Sequence, residues 1–122
     1  MKVKVSNGEL VDKAAILKVK LEKIKDQKKL NNINTEYQYL LECMSQIGVT
    51  EDSSHFKDLF AIHLINWDLI ETWNSKEKSN EFDEEYIEVT KKSNQCNRER
   101  FKIKSDLNQH SEIVEEKSEI YD

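Results

Sequence analysis

Proline is absent from this 122-residue chain, glycine occurs only at positions 8 and 48, and arginine only at positions 98 and 100. A chain with so few turn formers and helix breakers is poorly suited to a turn-rich fold, and the class read here is all-α. Cysteine is equally sparse. Cys43 and Cys96 lack metal-ligand spacing and each falls in an apolar helical stripe, so both read as reduced core residues rather than as a disulfide. No apolar run, at Met1–Val5 or later, is long enough for a signal peptide or a membrane span, so a cytoplasmic protein that does not enter a membrane is expected. A catalytic triad, a glycine-rich phosphate loop and a cofactor fingerprint are all missing, and no cofactor is expected. His55, His63 and His110 are isolated, without the Glu-x-x-His pairs of a di-iron bundle, so no metal site is expected.

The chain does have long helical stripes in abundance. Residues 1–122 suit a single helical domain, with residues 1–5 as an extended lead-in and residues 109–122 as an irregular tail, docked or partly disordered. Apolar content of 37% against 35% charged residues is lean for a monomer, so some apolar surface is expected to be shared between subunits, most simply in a homodimer. The architecture expected is an antiparallel bundle of about four helices.

Ser6 followed by Glu9 makes a capping box for the first helix, which carries Leu10, Ala14, Leu17, Leu21 and Ile24 on one stripe and ends near residues 26–29. A second stripe, Leu30, Ile33, Tyr37, Leu40, Met44 and Ile47, stops at Gly48. The register breaks between Ile24 and Leu30, which allows either a hairpin or one long helix with a stutter; the hairpin is favoured. Residues 48–54 form the clearest loop, with Asp52, Ser53 or Ser54 as cap of a third helix over about 55–75. That helix is apolar on most sides, from Phe56 to Trp73, and is expected to be the most buried. The fourth begins near Glu81 and runs to about Asn108. Its seam, Phe82, Tyr86, Val89, Ser93, Cys96, Arg100, Ile103 and Leu107, alternates spacings of four and three. Arg100 puts a permanent cation on that seam and demands an anionic partner.

Charge is segregated: residues 1–35 carry +5, residues 36–90 carry −10, residues 91–108 carry +4 and the remainder −4. Helix dipoles account for part of this, and the basic segments are expected to pair with the acidic middle. The lysines from Lys18 to Lys29 spread around the first helix instead of forming a strip. In an acidic chain without a base-reading motif this is a solvated face, and nucleic acid is not the expected partner. Glu81/Glu84 and Glu85/Glu88 form Glu-x-x-Glu pairs like those that hold Mg²⁺ in all-α nucleotide pyrophosphohydrolases, but an acid-rich first turn produces them by chance. His63 and Asn66 read as a satisfied buried pair.

Polar residues at or beside the apolar stripes remain as the candidate site. Lys13, Arg100 and Lys104 form a candidate anion site, with Glu9, Asp12, Glu71 and Asn97 as candidate acids or network partners. Whether they build a structural ion-pair network or a ligand site, and whether the protein is an enzyme, is left open by the residues themselves. No catalytic residue is assigned.

Gly8-Glu9-Leu10-Val11-Asp12-Lys13 leading into Ile16-Leu17-x-Val19-Lys20, then Phe82-Asp83 with Ile87, then Asn97, Arg100 and Lys104, then Glu115-Glu116-Lys117-Ser118 resemble a small bacterial and phage family catalogued as a domain of unknown function. The resemblance implies no activity. A member of that family would carry an acid and an arginine near Glu71 and Trp73; here Trp73 stands at or near the arginine position. The leading expectation is an interaction or regulatory module that binds a protein partner or itself through the third helix. The alternative is an enzyme or ligand-binding bundle that recognises a phosphorylated or carboxylated small molecule through the charged cluster.

Overall fold

The computed structural model describes residues 5–118, with side chains described to residue 109. It consists of four helices: α1 (Asn7–Lys23), α2 (Gln27–Gln46), α3 (Ser54–Ser79) and α4 (Glu84–Ser118). Among the described residues there is no strand, and the all-α bundle read from composition is what forms. Among the described residues no helix is long and apolar enough to cross a membrane.

Local chemistry sets most boundaries. Ser6 Oγ accepts from the Glu9 amide at 3.2 Å, but the Glu9 carboxylate turns to Lys104 of α4, so only half of the capping box forms. The first two helices are a hairpin. Ile24 is extended, Asp26 caps α2 by accepting from the amides of Lys28 and Lys29, and α1 thus ends earlier than residues 26–29. Gly48, at φ 77°, takes the left-handed turn after α2 that glycine adopts without strain. Ser53 is the N-cap residue of α3, although its hydroxyl serves the Thr50 amide instead of the helix.

The later boundaries depend on contacts across the turn. α3 continues beyond residue 75 to Ser79, held by Lys76, which is buried and pairs with Asp83 at 2.9 Å, Glu85 at 2.8 Å and Glu81 at 3.8 Å. Asn80 then reverses the chain in the left-handed conformation, and Asp83 caps α4 through the Tyr86 amide. α4 therefore starts at Glu84 instead of Glu81. Phe82 precedes the helix, stands 57% exposed and meets Tyr86 edge-on, so it does not belong to the buried seam. Beyond Asn108 the helix continues to Ser118, where the sequence pattern predicts an irregular tail; residues 1–4 of the lead-in and 119–122 of the tail lie outside the described residues.

The centre of the bundle is α1, not α3. α1 packs against all three other helices, α2 lies closely against α1 only, and α3 pairs with α4. Val11, Ala14, Ala15, Leu17 and Val19 of α1 are buried, and the core continues through Tyr37, Leu40, Met44, Phe56, Leu59 and Leu107. Small side chains let several backbones converge on α1, whereas the bulky residues all around α3 cannot all face inward. Ile65 is 58% exposed as a result. Gly8 makes the closest approach: a Cβ there would lie 2.5 Å from the Lys104 carbonyl oxygen, and the Gly8 amide donates to Asn108 Oδ1 at 2.7 Å. Paired residues such as Gly8–Asn108 and Asn66–Ser93 show α1 and α3 each antiparallel to α4. The basic first helix does meet the acidic middle, through Lys13–Glu36, Lys18–Glu51 and Lys23–Asp68. Cys43 and Cys96 are free thiols.

Candidate functional site

Asp12 is the hub of the polar residues where α1, α3 and α4 meet. Its side chain is 7% exposed on the most buried helix, so the carboxylate requires cations around it. His63 of α3, equally buried, places Nε2 2.7 Å from Asp12 Oδ1. Arg100 Nε lies 3.7 Å from the same oxygen, and Lys104 Nζ lies 3.9 Å from Oδ2 while also pairing with Glu9. These contacts follow from the α1–α4 register, because residues 12, 100 and 104 fall on facing stripes once Gly8 seats against Lys104 and Asn108.

The imidazole is the nearer of the two to Oδ1. At 3.7 Å the guanidinium is within charge contact of Asp12 but beyond hydrogen-bond reach. Among the described residues Arg100 donates no hydrogen bond, and its Nε is buried without an acceptor. None of the five N–H donors of its fork is taken by a described residue, and the side chain is 32% exposed. With Nε2–H directed at Asp12, the basic nitrogen of His63 would be Nδ1.

Beside this cluster lies a hollow of about 200 Å³, lined by Arg100, His63 and Asn66 on the polar side and by Ile16, Val19, Trp67 and Ile70 on the apolar side. Asn66 is buried and fixed by Ser93, whose hydroxyl donates to Asn66 Oδ1 at 2.8 Å. Trp67 is held by its indole N–H to Glu71 at 2.6 Å. The hollow thus combines apolar walls with a few fixed polar groups, the usual chemistry of a small-molecule site.

The residues singled out from sequence divide accordingly. Glu9, Asp12, Arg100 and Lys104 come together. Lys13 does not: it is exposed and pairs with Glu36 of α2 at 3.6 Å. Asn97 is exposed, and Glu71 serves Trp67 instead of the ion-pair cluster. His63 and Asn66 are both buried, but each is satisfied by a different partner and not by the other. Of the residues lining the hollow only Arg100 is a candidate from sequence; Ile16, Val19, Trp67 and Ile70 are not singled out there as site residues, and His63 and Asn66 read as a buried structural pair. A histidine on an apolar face was the only signal, and its partner lies 51 residues away. Glu81 and Glu85, whose Glu-x-x-Glu spacing reads as a chance product of an acid-rich first turn, pair with Lys76. Among the described residues no three His, Cys, Asp or Glu side chains gather as metal ligands.

Compared with known proteins, residues 1–120 match a family of unknown function (DUF6165). No curated protein and no solved structure matches.

Proposed function

The chain belongs to this family of unknown function, and from the geometry of its polar cluster we propose that it is a ligand-binding bundle that captures a small organic anion in the hollow beside Arg100. The observation that carries this reading is the unspent Arg100 guanidinium. A carboxylate or phosphate oxygen in the hollow would accept charge-assisted hydrogen bonds from the accessible N–H groups of this guanidinium. Asp12 accepts none, because its Oδ1 stays 3.7 Å from Arg100 Nε. Lys104 pairs with Glu9 and Asp12, and Arg100 is the cation that lines the hollow. The ligand's apolar body then sits against Ile16, Val19 and Trp67.

Isothermal titration with benzoate and phenyl phosphate, on the parent and on Arg100→Gln, tests the reading. Saturable binding in the parent and at least tenfold weaker binding in the variant is the expected result. Equal affinity in both, or no heat in either, refutes it.

A second reading has its own observation. A hollow of about 420 Å³ along the outer side of α3 and α4 is lined by Ala61, Ile62 and Ile103, with Asp58, Glu99 and Lys102 at its edges. Both signs of charge flank an apolar strip, so the face can meet its own copy, and self-association through α3 and α4 is proposed alongside ligand binding. The reading keeps the interaction role of the third helix but bases it on the helix's exposed side.

A further inference from the structure

A second hollow, of about 340 Å³, lies between α3 and α4 and shares Ile70 with the hollow beside Arg100. Between the two lies the hydrogen-bonded pair Asn66 and Ser93, Asn66 lining one and Ser93 the other. Trp73 lines the far part, and its ring is fixed by stacking on Tyr86, 5.9 Å away, whose hydroxyl donates to Glu77 at 2.6 Å. α3 and α4 are longer than α1, which packs on them, so the far groove lies beyond the hollow that α1 helps to line.

Resting on the proposal that Arg100 holds an anion, we infer that the ligand is an elongated amphipathic anion, a straight-chain carboxylic acid of medium length. Its carboxylate pairs with Arg100 and its chain runs past Ile70 to Trp73. The two ends differ in chemistry: one has an unspent guanidinium, the other has Ile70 and the face of an indole. The length follows from the helix, since Arg100 to Thr90 is ten residues of α4, or about 15 Å at 1.5 Å per residue. A compact anion would fill the first hollow and leave Trp73 in water.

Titration of the full chain with straight-chain carboxylates from butanoate to dodecanoate, below their micelle concentrations, tests the inference. Affinity is expected to rise about fourfold per methylene and then level off when the chain outruns the trough. Asn94→Trp, which fills the far groove, is expected to keep butanoate affinity and lose the gain with length. Affinity independent of length in the parent, with binding abolished by Arg100→Gln, overturns the chain-length inference and leaves the anion site standing. A gain with length that survives Asn94→Trp also overturns it, by placing the chain elsewhere. If no carboxylate binds the parent, the anion site itself fails and this inference with it.

Discussion

Replacing Asp12 and Arg100 in turn separates a hub from a spare cation. Asp12→Asn keeps the shape of the side chain and removes its charge, leaving His63, Arg100 and Lys104 packed around a neutral amide. Removing one partner of a buried charge cluster costs roughly 3–5 kcal/mol. Set against a typical total stability of about 5–15 kcal/mol, that is a large fraction of what holds the fold. Arg100→Gln is different. Arg100 has no hydrogen bond to lose, its one charge contact is 3.7 Å long, and a third of the side chain faces solvent, so the cost is about 1 kcal/mol or less. In the double variant no guanidinium is left stranded beside the neutral amide that replaces the carboxylate, so the losses should fall short of additivity by about 1 kcal/mol. Urea unfolding followed by helical circular dichroism measures all four proteins, with unchanged m-values confirming a common unfolding reaction. If Arg100→Gln costs as much as Asp12→Asn, the guanidinium is an anchor of the fold, and the argument that it is free for a ligand collapses.

Two further outcomes are expected. The Asp83 carboxyl is held below its ordinary range by the hydrogen bond from Lys76 and then by the Tyr86 amide. Its stabilising contribution is therefore complete above the ordinary carboxylate range and is lost as pH falls through the depressed folded value. Asp83→Asn should lower the melting temperature at neutral pH and match the parent in strong acid; an equal deficit at both would refute the assignment. Self-association through α3 and α4 should appear as a sedimentation-equilibrium mass that rises with concentration, and Ile65→Glu should return it to that of one chain. A parent mass that stays at one chain throughout would sink that reading.

Sequence alone determined what is local along the chain. Ser6 and Gly48 punctuate the helices because caps and left-handed turns depend on residues within one turn of each other, and the heptad-like stripes follow from the helical period. The stripe on α4 also identified Arg100 as a cation in the wrong place, because an apolar seam is legible without knowing what it packs against. Tertiary structure decided which helix is central and which charges meet. Apolar content favoured α3, yet α1 takes the centre because Gly8, Ala14 and Ala15 allow close approach, and steric fit between helices is not a property of any one of them. Lys13 and Lys104 had equal claims as charges in sequence. Helix packing turned one to Glu36 and the other to Glu9. The partner of His63 could not be named until α3 was laid against α1, because its contact with Asp12 joins residues far apart in the chain.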